Sequence, residues 1–213
     1  MEQIDLKRRA GPAIRSLPYR PVAILAPLCL AGIHIAVMAL TLPAGEFTAM
    51  LSLMAAYLLP PAGKETVIPI GIALGIPWWY MALSIAMIDI ETGLFMALNF
   101  DLAYRIPYLG PRLSDLTETT RHFIAAHRWI AGLWIFAVIL MVMVPVFGSG
   151  GVRGSIAGKL LGMGTVLVFL SVAVGALSGC FIIALGSDAA LAYLCSNGTL
   201  PAAVAGAVCP GSP

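Results

Sequence analysis

Three carboxylates of this chain lie where the apolar pattern places a lipid bilayer, and ionised side chains are rare there. They are Glu65, Asp89 and Glu91, and Asp89 falls near the middle of the apolar stretch 77–100. Such a stretch can cross a hydrocarbon core of about 30 Å at about 1.5 Å per residue. A charge at that depth costs about 2.5–3.5 kcal/mol, which indicates a function or a buried partner. Arg153 and Lys159 are the basic residues that could pair with Asp89.

Glu65 is our first candidate for ion binding, and Lys64 precedes it in the same segment. A carboxylate held away from water binds a proton more tightly and can exchange it near neutral pH. The alternative is that Glu65 lies at a water-filled mouth and is an ordinary surface acid. Arg153 could neutralise Glu65 or hold an anionic headgroup through paired hydrogen bonds. Alternatively, Arg153 and Lys159 extend their long stems to the membrane interface.

Asp89 and Glu91 cannot both face one site, because two residues on a helix are separated by about 200° around its axis. One should face a cavity, and the other a neighbouring helix or a backbone donor. The sequence contains no nucleophile–base pattern, phosphate loop or metal-ligand spacing that we recognise. We therefore expect no enzymatic activity, no metal and no cofactor.

The composition is that of a membrane protein. Mean hydropathy is +0.96, and only 10% of the 213 residues are charged, against about 25% in soluble domains. This composition predicts a single multi-pass domain of the cell membrane, in contact with lipids and not with nucleic acid.

The basic residues are unevenly distributed, which orients the chain. They concentrate before residue 21 and between residues 105 and 128, and none follows Lys159. By the positive-inside rule, the N-terminal segment 1–20 and the segment 101–128 are cytoplasmic, and the tail 188–213 is outside. The first apolar run, 21–42, is too long for a signal peptide, so we interpret it as a membrane helix.

Two apolar segments are interrupted by helix-breaking residues. The first contains Pro60, Pro61 and Gly63, and the second contains Pro145 and a glycine cluster up to Gly154. Broken backbone at membrane depth is tolerated where it is buried in protein or lines a cavity. We therefore predict two re-entrant helical hairpins, at 47–76 and 129–163. The alternative is a set of ordinary spans, since 129–147 could cross alone.

The two interrupted segments resemble each other. Glu65 is followed by Gly71, Gly75 and a span from residue 77, and Arg153 by Gly158, Gly162 and a span from residue 164. Such similarity is typical of inverted-repeat transporters, whose sites lie near the midplane. Glycines four residues apart also favour close helix packing; the packing candidates are Gly71, Gly75, Gly158, Gly162, Gly175 and Gly179.

The predicted fold is an all-α integral membrane protein. It combines an inverted repeat, each half a re-entrant hairpin plus a transmembrane helix, with an extra N-terminal transmembrane helix. The transmembrane helices are 21–42, 77–100 and 164–187, and 101–128 is an amphipathic cytoplasmic connector. Cys195 and Cys209 lie in the predicted external tail, where a disulfide is an open question.

The run Lys64–Pro77, KETVIPIGIALGIP, resembles a segment of the small multidrug export proteins, and the resemblance extends over about residues 45–187. That family is similar in architecture to DedA-type membrane proteins, which carry an acid in one re-entrant loop and an arginine in the other. The resemblance implies that Glu65 is the acid and Arg153 the arginine. Asp89 and Glu91 depart from it, since a glycine–asparagine pair is expected there.

Two functions follow as expectations. The first is a transporter coupled to protons or sodium, or a translocase, acting on an amphiphilic small molecule or a lipid. The oppositely charged loops favour it, and a homo-oligomer is one form it could take. The second is a membrane scaffold that uses its glycine-rich helix faces and has no transport activity.

Overall fold

The computed structural model describes residues 19–59, 62–100, 128–144, 150–199, 205, 208 and 209. These residues form seven helices and no strand, so the predicted all-helical class is confirmed. The predicted connector 101–128, apart from its last residue, and the N-terminal segment up to residue 18 lie outside the described residues. The helices are α1 (Tyr19–Thr41), α2 (Ala44–Leu58), α3 (Lys64–Ala73), α4 (Trp78–Asn99), α5 (Arg128–Met143), α6 (Gly150–Leu160) and α7 (Thr165–Ser196).

Three of the described helices, α1, α4 and α7, are long and apolar enough to cross a membrane. They correspond to the three predicted transmembrane helices. The last one differs in length, because α7 continues to Ser196 and not to residue 187. Asp188 thus lies within a helix, since the apolar residues that follow it contain no proline and continue the helical run.

Both predicted interruptions separate two helices. α2 ends at Leu58 and α3 begins at Lys64, while α5 ends at Met143 and α6 begins at Gly150. Lys64 and Glu65 lie in the first turn of α3, and Arg153 lies within α6. The helix α3 begins this early because the Thr66 side chain accepts a hydrogen bond from the Gly63 amide, 3.2 Å away.

The two short helices, α3 and α6, end in the same way. Gly75 and Gly162 have positive φ angles of 91° and 74°, and each is followed by an amide that bonds back to a glycine carbonyl five residues earlier, Gly71 and Gly158 respectively. This is a Schellman ending, in which the left-handed position favours glycine. The spacing Gly-x-x-x-Gly therefore marks two helix ends, and a Cβ added at Gly75 would meet no atom within 4 Å.

The helix α4 lies at the centre and packs against α1, α2, α3, α6 and α7. Gly175 and Gly179 let α7 approach the end of α5, since a Cβ at either position would come within 2.7 Å of a backbone oxygen of α5. Gly71 and Gly158 face side chains closely as well. α4 therefore presents its middle turns to both interrupted segments at once.

A disulfide joins Cys195 at the end of α7 to Cys209. The sequence left this pairing open. The bond holds the described part of the C-terminal segment beside the last turn of α7.

Candidate functional site

Asp89 lies at the point where both interrupted segments meet α4. Its side chain has no solvent exposure. Oδ1 accepts hydrogen bonds from the Tyr57 hydroxyl at 2.7 Å and from the Gly151 amide at 3.0 Å. Oδ2 accepts one from the Lys64 ammonium at 3.3 Å. Three donors from α2, α6 and α3 thus converge on one carboxylate, which offsets the cost of burying its charge.

The cation beside Asp89 is Lys64, the first residue of α3. Its side chain is 1% exposed and forms an ion pair with Asp89. Its ammonium also donates to the Val142 carbonyl at 2.7 Å. Val142 lies in the last turn of α5, where carbonyls have no partner within the helix. Lys64 therefore satisfies a group that the break after α5 leaves unpaired.

The two charges occupy opposite ends of the break between α5 and α6. The Lys64 ammonium lies at the carboxyl end of α5, and the Asp89 carboxylate lies at the amino end of α6. A helix carries about half a positive charge at its amino end and half a negative charge at its carboxyl end. Each side chain thus faces the helix end of opposite sign, which stabilises two charges that are both buried in the protein.

Tyr57 links the first interrupted segment to the second. Its hydroxyl donates to Asp89 and accepts from the Gly150 amide at 3.4 Å. The tyrosine is fully buried near the end of α2. A phenol fits this position because one oxygen can donate and accept at the same time. The Tyr57 hydroxyl therefore bridges Asp89 and the first turn of α6.

The glycines that begin α6 allow a close approach to α4. A Cβ on Gly151 would overlap the Asp89 backbone oxygen, and one on Gly150 would lie 3.1 Å from the Val142 oxygen and 3.2 Å from Asp89 Oδ2. Any side chain at Gly151 would push α6 away from α4. The glycine cluster is thus required to bring the α6 amides within hydrogen-bonding distance of the carboxylate.

Glu91 belongs to a second pair on another face of α4. Its Oε1 lies 3.0 Å from Nδ1 of His34 on α1, and both side chains are about one-tenth exposed. As the angle around the helix predicts, Asp89 and Glu91 contact different helices.

An apolar groove of about 510 Å³ runs between α1, α2 and α4. Its walls are aliphatic and aromatic, apart from Glu91 and Thr92 on α4. The groove meets the second pair at Glu91, whose carboxylate is bonded to His34. It offers a long apolar surface with one acidic group, which suits an amphiphilic molecule.

The remaining predicted site residues are Glu65, Lys159 and Arg153. Glu65 is half-buried in the first turn of α3, and its Oε2 accepts no hydrogen bond. Lys159, in the last turn of α6, donates to the Thr165 hydroxyl at 2.6 Å. Arg153 is half-buried on α6. The pairing of Glu65 with Arg153 stays a prediction.

Three parts of the centre were not predicted from the sequence: Tyr57, the Val142 carbonyl, and the Gly150 and Gly151 amides. The backbone groups had a signal, since a break after an apolar helix must leave unpaired carbonyls and amides. The sequence signal for Tyr57 was weaker: its hydroxyl is the one polar group among the side chains of residues 53–59, just before the first break. In the described part of the chain, no group of three or more His, Cys, Asp or Glu residues is placed to hold a metal ion.

No protein-family model, curated protein or solved structure matches this chain.

Proposed function

We propose that this protein is an ion-coupled membrane transporter, or translocase, of an amphiphilic small molecule or a lipid. The pair of Lys64 and Asp89 binds and releases the coupling ion. The observation that carries this proposal is the position of that pair, fully buried at the middle of a span-length helix and between the ends of two broken segments. Sites of this composition occur near the midplane of transporters built from discontinuous helices.

A purely structural role would explain this pair less well. Apolar residues of similar volume fill such positions without the cost of desolvating two charges, so a buried ion pair is weak evidence for stability. Ionisable residues at membrane depth mark ion pathways and relays. The pair also links α3, α4 and α5, so a change in its protonation would alter contacts between all three helices.

The proposed topology has α2–α3 and α5–α6 as re-entrant hairpins that enter from opposite faces of the membrane. α3 has 10 residues and α6 has 11, or about 15 Å each, half of a hydrocarbon core. Their matching Schellman endings, each followed by a long apolar helix, support an internal repeat. In this topology the N-terminus is cytoplasmic and the tail is outside, as the distribution of basic residues predicts.

The apolar groove supports an amphiphilic substrate. It provides apolar walls for a hydrocarbon chain or ring system, and the pair of Glu91 and His34 for a polar head. The resemblance to small multidrug export and DedA-type proteins leads to the same substrate class. The same resemblance makes Glu65 and Arg153 further candidates for ion coupling, and we include variants of both in the uptake experiment.

The scaffold function has less support. Its basis in the sequence was the set of glycine faces available to partner proteins. In the described residues, Gly175 and Gly179 face the backbone of α5, and Gly158 faces Val168 of α7. These faces are therefore used for packing within the chain.

The deciding experiment is uptake by proteoliposomes under an imposed proton or sodium gradient, with a panel of fluorescent lipids and cationic amphiphiles. Asp89→Asn should abolish gradient-driven uptake when equal amounts of folded protein are reconstituted, because the amide cannot exchange a proton. Glu65→Gln and Arg153→Gln are measured beside it. Glu46→Gln removes an acid at the start of α2 and serves as the matched control, which should keep wild-type uptake. Gradient-driven uptake that survives in Asp89→Asn would refute the coupling role. Absence of uptake of every compound in the wild type would favour the scaffold.

A further inference from the structure

The ammonium of Lys64 occupies a position with the features of a monovalent-cation site. Two oxygens converge on it, Asp89 Oδ2 at 3.3 Å and the Val142 carbonyl at 2.7 Å. The first belongs to a carboxylate at the middle of α4, and the second is a backbone carbonyl in the last turn of α5. Carboxylates, unwound carbonyls and half-helix carboxyl ends are the groups that coordinate sodium in transporters with discontinuous helices. In this chain a covalently attached cation fills the place between them.

We propose that Lys64 is a built-in cation that takes the place of a sodium ion, so that the exchangeable ion of this site is the proton. The identity of the exchangeable ion rests on the proposed transport function, whereas the role of Lys64 as a built-in cation does not. Sodium could reach the two oxygens only by displacing the ammonium, because Lys64 is 1% exposed and packed against both. A proton needs no such space. It adds to Asp89 Oδ2, forms one O–H bond and breaks the ion pair, and its departure restores the pair.

Groups from every neighbouring element surround the pair. Tyr57 of α2 bonds to Asp89, and Cys180 of α7 lies within electrostatic range of both charges. The other charged residues on the neighbouring helices are Glu46 on α2, Glu65 on α3, Glu91 on α4, Arg128 on α5, Arg153 and Lys159 on α6, and Asp188 on α7. The helix α5 also contributes the Val142 carbonyl. Glu91 is directed to His34 on another face of α4. Asp89 is therefore the acid whose protonation acts directly on Lys64.

Removing the lysine stem should turn the position into an open cation site. Lys64→Ala leaves the Asp89 carboxylate and the Val142 carbonyl facing an unfilled volume that a small cation and water can enter. Lys64→Met removes the charge equally but fills the volume with an apolar chain of similar length. The two variants thus separate the loss of a charge from the opening of a site.

The test is thermal unfolding of the purified, detergent-solubilised protein in sodium, potassium, methylammonium and choline chloride at equal ionic strength. The Tm of the wild type should be the same in all four salts. The Tm of Lys64→Ala should rise saturably with sodium or methylammonium relative to choline, by about 3–6 °C at ten times the Kd. Lys64→Met and the double variant Lys64→Ala/Asp89→Asn should show no such rise.

Two outcomes would overturn the proposal. One is a saturable sodium-specific rise in the Tm of the wild type, which would mean that a sodium site exists with Lys64 in place. The other is a Tm of Lys64→Ala that is equal in all salts. Should Lys64→Ala fail to fold, Lys64→Ser opens nearly the same volume and is judged by the same criterion.

A flux measurement then tests the ion itself. Wild-type uptake driven by a proton gradient should be equal in sodium and choline media, and uptake driven by sodium alone would contradict proton exchange. Absence of uptake under either gradient would refute the transport function only. The salt dependence of Lys64→Ala is a measurement of stability and would still decide whether Lys64 fills a cation site.

Discussion

Removing either charge of the Lys64–Asp89 pair alone should destabilise the protein more than removing both charges together. Lys64→Met removes the ammonium beside a carboxylate with 0% exposure, although the Tyr57 and Gly151 donors stay. Breaking a buried pair in this way costs about 3–5 kcal/mol. Asp89→Asn leaves the ammonium bonded to the Val142 carbonyl and to an amide oxygen, and we expect a loss of about 2–4 kcal/mol.

The double variant Lys64→Met/Asp89→Asn contains no buried charge at this position. It keeps an oxygen for the Tyr57 hydroxyl and a chain of similar volume at residue 64, so we expect a loss of only about 1–3 kcal/mol. The coupling free energy between the two positions should therefore be at least about 2 kcal/mol.

The assay is reversible unfolding by SDS in mixed micelles, followed by far-ultraviolet circular dichroism. Lys159→Met is the matched control, because it removes a half-buried lysine that bonds to Thr165 and should cost no more than about 1 kcal/mol. Losses of Lys64→Met and Asp89→Asn that add to that of the double variant within about 0.5 kcal/mol would refute the pairing, and with it our account of the site.

Three further predictions address the close approach of α6, the end of α3 and the topology. Gly151→Ala should lower the unfolding free energy by more than about 3 kcal/mol, because its Cβ would overlap the Asp89 backbone. The control is Gly132→Ala on α5, whose Cβ would meet no atom within 4 Å and which should be neutral or slightly stabilising. Equal effects of the two variants would contradict the close approach of α6 to α4. At Gly75, where φ is 91° and no atom blocks a Cβ, alanine should cost about 1–2 kcal/mol and asparagine less, as unfolding curves would show. In a variant without native cysteines, cysteines introduced at Asp115 and Ala190 should react with an impermeant maleimide from opposite sides of the membrane, and labelling of both from one side would refute the proposed topology.

The sequence determined the parts of this protein that depend on local energetics. A run of apolar residues must form helices in lipid, since unpaired backbone groups have no solvent there. Proline and glycine clusters must interrupt those helices, so the breaks near residues 60 and 147 were predicted before any tertiary contact was known. The cost of placing Asp89 within an apolar span likewise predicted that it has a partner or a function.

The tertiary structure alone decided which groups meet Asp89. The sequence indicated Arg153 and Lys159 as partners, whereas the ion pair that the structure describes joins Asp89 to Lys64. Its two bonds span 25 and 78 residues along the chain, and the Gly151 amide is 62 residues from Asp89. Sequence patterns act over one or two helical turns, so they locate a helix end without its neighbours. The ion pair exists because α4 packs against both broken segments together, and that packing sets a carboxylate at one helix end and an ammonium at the other.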